Sequence, residues 1–147
     1  MQQGSSDVST EGVRVQVSAQ LIPEQSDPDG RLYAFAYRVR ITNEGEDWAK
    51  LLSRRWVITD SRGELEIVEG AGVVGYQPEL EPGEGFEYMS GCPLRTSWGT
   101  MEGHFLMQRR DGSTFEAEVG RFFLTKDTRL IESVLVLPEN GPAGPTR

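Results

Sequence analysis

Most residues in this chain that could do chemistry fall between Glu69 and Met107, in the run EGAGVVGYQPELEPGEGFEYMSGCPLRTSWGTMEGHFLM. Gly70, Gly72 and Gly75 stand at GxGxxG spacing. In a dinucleotide-binding unit such a triad joins a strand to a helix whose N-terminus meets the pyrophosphate, and an acidic residue about 20 positions on reaches the ribose. Here Pro78, Pro82, Gly83 and Gly85 follow at once. No helix runs through them, because an interior proline costs about 3 kcal/mol and each glycine nearly 1. The Rossmann reading is therefore excluded. A glycine-rich loop still keeps a lesser capacity, since its backbone amides can form an anion-binding nest. An arginine fork could meet the remaining oxygens of a phosphate. Arg54 and Arg55 are adjacent on a predicted strand, so their side chains leave by opposite faces and only one reaches any given site. Gly70, Gly72, Gly75, Arg54 and Arg55 are thus the candidate ligand-binding residues, for pyrophosphate or a dinucleoside polyphosphate. The plainer alternative gives the glycines to turns and close backbone approach, and the arginines to nearby glutamates.

Catalytic parts are few. The only histidine, His104, falls in a predicted strand on the face opposite Phe105, and the only cysteine, Cys92, precedes Pro93 in a turn-like segment among glutamates that oppose a reactive thiolate. One His and one Cys cannot build a zinc site of four N or S ligands, or of three plus water. No catalytic residue, metal ligand or cofactor is assigned, and the chain reads as non-catalytic. The Asp27-Pro28-Asp29-Gly30 fragment lacks the terminal glutamate of a calcium loop and reads as a turn. Tyr76 and Trp98, both beside turn glycines, are candidate anchors for a protein partner, with core packing as their alternative.

Charge narrows the partners. Lys+Arg 15 against Asp+Glu 23 gives −8, and residues 61–90 hold seven glutamates against one arginine. Such a surface repels phosphate backbones, so nucleic acid is not an expected partner. The acidic segment shows no cation-loop spacing and reads as a solvated edge.

The elements that must position these residues are strands. Val13 to Leu21 alternates apolar and polar without a break, and Tyr33, Phe35, Tyr37, Val39 and Ile41 share one face of the next run, with the Ser26–Gly30 turn between them. Trp48 to Thr59 is a strand whose alternation slips near Leu51-Leu52, as at a bulge. Further strands are predicted at Glu64–Val68, Phe86–Met89, Met101–Arg109 and Thr114–Leu124, the last two joined by Asp111-Gly112. Short alternating runs with no helix before residue 126 indicate an all-β, antiparallel sandwich over residues 12–125. Residues 1–11 are expected to be a flexible N-terminus. Residues 126–147 form an extension in which Leu130, Ile131, Val134 and Leu135 fit either a helix or a strand and the Pro-Gly-rich end is expected to be disordered. The N-terminal residues carry neither the basic nor the apolar region of a secretory signal, and the longest aliphatic run falls far short of the roughly 20 residues of a membrane helix. A cytoplasmic location, away from the membrane, is expected.

Leu51-Leu52-Ser53-Arg54-Arg55-Trp56-Val57-Ile58-Thr59-Asp60, Gly70 to Gly75 with Val73 and Val74, Pro78, Pro82-Gly83, Phe86, Tyr88, Ser90-Gly91-Cys92-Pro93-Leu94 and Gly99-Thr100-Met101-x-Gly103 follow one another in an order that resembles the ApaG family. The resemblance covers roughly Val13 to Leu124. It implies an immunoglobulin-like or fibronectin type III-like sandwich and no agreed reaction. It also carries an association with cobalt and magnesium efflux, a neighbouring diadenosine tetraphosphatase gene, and related domains inside eukaryotic F-box and polymerase-interacting proteins. By analogy with those embedded domains, the expected function is a protein-binding module, with phosphate or nucleotide binding at the Gly70–Gly75 loop as the alternative.

Overall fold

The structure is a computed structural model and describes residues 4–126. Nine strands form two antiparallel sheets: β1 (Ser5–Thr10), β2 (Val13–Leu21), β3 (Tyr33–Asn43) and β7 (Gly85–Leu94) in the order β1-β2-β3-β7, and β4 (Ala49–Asp60), β5 (Leu65–Ala71), β8 (Gly99–Arg109) and β9 (Thr114–Leu124) in the order β5-β4-β8-β9. The two-residue β6 (Glu79–Leu80) pairs with the start of β4. Single 3-10 turns at Pro23–Gln25 and Pro28–Gly30 connect β2 to β3. The expected antiparallel sandwich is what the chain forms.

Alternation sets the core. From β2 and β3 the residues Val13, Val15, Val17, Phe35, Tyr37, Val39 and Ile41 are buried, and Trp56, Ile58, Met101, Phe105, Met107, Val119 and Phe122 meet them from the other sheet. The slip near Leu52 is real: β4 changes register against β8 between Leu51 and Ser53. The extra residue lets Leu51 on one side of the bulge, and Trp56 and Ile58 on the other, all reach the interior. Gly103 answers a different demand. A Cβ there would collide with the carbonyl of Arg55, so β4 and β8 approach at this point only because the side chain is missing.

Two expectations are corrected. Within the expected flexible N-terminus of residues 1–11, Ser5–Thr10 is a strand that pairs residue for residue with β2, from Ser5 opposite Ser18 to Thr10 opposite Val13. Small and polar residues hide this strand from a hydrophobicity pattern, because it is held by its ladder, the Arg14–Asp7 pair at 2.6 Å, the Glu118 amide on Thr10 Oγ1 and Val8 against Gly120. The Cys92-Pro93 segment is not a turn but the continuation of β7, where Pro93 is tolerated because β7 is an edge strand. The expected helix-or-strand element near Leu130–Leu137 lies outside the described residues.

The two flanks of the sandwich differ. On one, β1 closes against β9, where the Glu118 amide donates to Thr10 Oγ1 at 3.1 Å and Val8 fills the space above Gly120. On the other, β5 and β7 are sheet edges, and among the described residues no strand pairs across them. Removing residues 1–11 should therefore strip a closing strand rather than a tail. We expect a loss of about 1–2 kcal/mol from the uncovered apolar surface and a melting temperature lower by roughly 5 °C. A thermal melt identical to that of the full chain would show that β1 contributes nothing to closure.

Candidate functional site

Arg54 shares the inward face of β4 with Trp56 and lies opposite Phe105, whereas Arg55 faces outward opposite His104. The chain thus presents one arginine, Arg54, to the glycine loop, and the β4–β5 register places it directly across from Gly70. Its Nη1 donates to the carbonyl oxygens of Ala71 at 3.2 Å and Gly72 at 3.0 Å. A Cβ on Gly70 would stand 2.9 Å from that nitrogen, so glycine here leaves room for the guanidinium. Arg55 takes the pairing with a local glutamate, its Nη1 lying 2.9 Å from Glu69 Oε2.

The loop that Arg54 braces is laced to the β4 bulge. Leu52 O accepts from the Gly72 amide and from Gln77 Nε2, both at 2.9 Å, and Leu51 donates to Pro78 O at 3.0 Å. Between these anchors Val73 and Tyr76 exchange two 2.8 Å hydrogen bonds around Val74 (φ 42°) and Gly75 (φ 87°). Positive φ at both central residues is a type I′ turn. Glycine suits it and a β-branched residue resists it, so Val74 is held there by packing its side chain against the core. The amides of Gly72, Val73 and Tyr76 are all spent on backbone carbonyls. The loop and Arg54 are brought together, then, but through carbonyl oxygens rather than through a row of amides turned toward an anion.

Behind Arg54 the interior turns polar. Burial pushes the Tyr88 hydroxyl well above the usual tyrosine range, Tyr37 adds to the shift and Arg54 opposes it, so the phenol stays neutral. On the outer face His104 Nε2 lies 3.5 Å from Glu116 Oε2, and Arg121 pairs with Glu102 at 3.0 Å. Among the described residues no three His, Cys, Asp or Glu side chains converge as a metal site. Cys92 is buried in β7.

The two candidate anchors are separated. Tyr76 is 62% exposed and its ring lies 5.8 Å from that of Phe86. Trp98 is 39% exposed and rests on Phe123 at 6.1 Å. The first sits at the Leu52 end of β4 and the second at the Asp60 end, roughly 26 Å apart along the strand. Sequence reading missed Leu65 and Ile67, which are 64% and 52% exposed on the edge strand β5. The alternation of Leu65, Ile67 and Glu69 places them on one face, but only the pairing with Thr59, Val57 and Arg55 shows that this face looks outward.

Arg54→Lys keeps the charge and loses the double contact. Exchange of the Gly72 and Tyr76 amides should then speed up about tenfold, equivalent to ~1.4 kcal/mol of local stability. Unchanged protection by hydrogen-exchange NMR would show that the Leu52 carbonyl holds the loop alone.

Residues 23–109 match the ApaG domain. Protein ApaG of Methylobacterium sp. (strain 4-46) is 53% identical over 115 residues, 78% of this chain and 88% of that protein. Protein ApaG of Dechloromonas aromatica is 49% identical over 125 residues, 85% of this chain and 98% of that protein. The crystal structure of an ApaA protein from Bordetella pertussis aligns with a TM-score of 0.77 at 43% identity, over 86% of this chain and 98% of that one.

Proposed function

This chain belongs to the ApaG domain family, and on that premise we propose that it is a non-catalytic module that binds a segment of another protein along its open flank. The observation that carries the reading is the free edge of β5. Asp60 donates to Glu64 O and Gly72 to Leu52 O, so the hydrogen-bonded pairs of the β4–β5 ladder fall on Glu66, Val68 and Gly70. Leu65, Ile67 and Glu69 consequently turn their amides and carbonyls away from β4, toward solvent. An added strand would bond to those groups and lay its side chains beside exposed Leu65 and Ile67. A cytoplasmic setting, and a link to cobalt and magnesium handling that is indirect, are part of this reading. No helix among the described residues is long and apolar enough to cross a membrane.

Ile67→Pro is a clean probe, because it deletes an outward amide and leaves the bonds to β4 in place. Affinity capture and cross-linking with this variant, with Leu65→Lys, and with Tyr76→Ala and Trp98→Ala should show partner recovery falling for the β5 variants. Folding is checked by circular dichroism. Full recovery of every partner by the folded β5 variants would remove β5 from the interface.

A second reading, phosphate or nucleotide binding, draws on the placement of Arg54 against Gly70 and Gly72. A phosphate there has to replace carbonyl contacts the arginine already makes. Titration with pyrophosphate, ATP and diadenosine tetraphosphate should, on this reading, shift the amides of Gly70 to Gly75 together with Arg54. Silence at millimolar ligand retires it.

A further inference from the structure

The fold already binds two of its own cations on aromatic rings. The Arg110 guanidinium lies 5.4 Å from the Trp48 ring centroid and is gripped at 3.1 Å by both carboxylate oxygens of Glu81. Arg109 lies 4.3 Å from the centroid of Phe115. Where the 76–80 segment faces the start of β7, a cleft of about 470 Å³ sets aromatic rings beside carboxylates. Tyr76 and Phe86 supply the rings, Pro78 and Leu80 an apolar lining, and Glu79 and Glu84 the acidic rim.

The neighbouring charges leave these rim carboxylates available. Glu81 is occupied by Arg110, and Glu87 lies 3.5 Å from both Arg38 and Arg40. Glu84 accepts the Glu81 amide with Oε1 only. Glu79 has no ion pair among the described residues, its cross-strand neighbour Lys50 included. The segment around the cleft carries seven glutamates against one arginine over residues 61–90, and that field draws cations toward it. An aromatic face beside a free carboxylate is chemistry suited to a guanidinium or an ammonium.

We propose that the Tyr76–Phe86 cleft receives an arginine or lysine side chain from a partner segment, with the cation over an aromatic ring and Glu79 and Glu84 as its counter-charges. This rests on the binding-module reading. A strand laid along β5 from Leu65 to Ala71 leads directly to the 72–78 loop that carries Tyr76.

The test uses the full chain, backbone amide NMR, and a short strand-forming peptide containing two arginines, compared with the same peptide carrying citrulline, which keeps the shape and removes the charge. The arginine peptide should shift Tyr76, Gln77, Glu79 and Phe86 at millimolar concentration, and the citrulline peptide should bind about threefold to tenfold more weakly. Tyr76→Ala and Glu79→Gln should each weaken the arginine peptide by a similar factor. Equal binding of the two peptides, or shifts in residues 65–71 with none in 76–86, would overturn the cleft while leaving the β5 reading intact. Silence of both regions would overturn both. Concentration-dependent shifts of the cleft residues without peptide would assign the cleft to a second copy of the chain and overturn the proposal.

Discussion

Everything in this sandwich is hung on Trp56. Its ring meets Tyr37 of the opposite sheet at 5.5 Å and Phe105 and Phe122 of its own at 5.8 and 6.2 Å, the first two pairs and the last all edge-on. Edge-to-face geometry is the favoured approach of such rings and adds to their burial. Because Trp56 must point inward, Arg54 two residues earlier must do so as well, and Arg55 must point out. The inward arginine then needs partners at the mouth of the sandwich. The loop after β5 supplies them as carbonyls, and Gly70 supplies the room. Gly70, the first glycine of the triad, is therefore explained by an aromatic wedge on a neighbouring strand.

The same constraint divides the molecule's two sides. Closure by β1 against β9 seals one flank with small side chains and the bond from the Glu118 amide to the Thr10 hydroxyl. Among the described residues no equivalent strand spans β5 and β7. There the chain spends its acidity and exposes Leu65, Ile67 and Tyr76. Polar residues on the inside of a closed flank and apolar ones on the outside of an open flank are the reverse of a surface arranged for folding alone.

Periodicity made the six longer strands and the Leu52 bulge legible, because a half-buried strand writes its burial into alternate positions. β1 was hidden because Ser5, Ser6, Ser9 and Thr10 pair by backbone, and a ladder has no composition. β7 was cut short at Met89, since Gly91, Cys92 and Pro93 read as punctuation until the sheet order shows that they lie on an edge. Of the candidate site, strand parity alone showed that only one of Arg54 and Arg55 could face the glycine loop. Which atoms of the loop face that arginine was not legible, because it depends on a type I′ turn containing Val74, a residue that propensity would never place there.

The free edge of β5 also bears on how copies of this chain behave toward one another. The outward amides and carbonyls of Leu65, Ile67 and Glu69 would be a template for stacking identical molecules edge to edge. Two such strands laid antiparallel would add carboxylates of like charge on both faces of the joined sheet, Glu69 on the outer face and Glu66 on the other. Such carboxylates on an open edge oppose its stacking with an identical edge. That protection is electrostatic, so it weakens in concentrated salt, where the screening length falls to about 3 Å at 1 M.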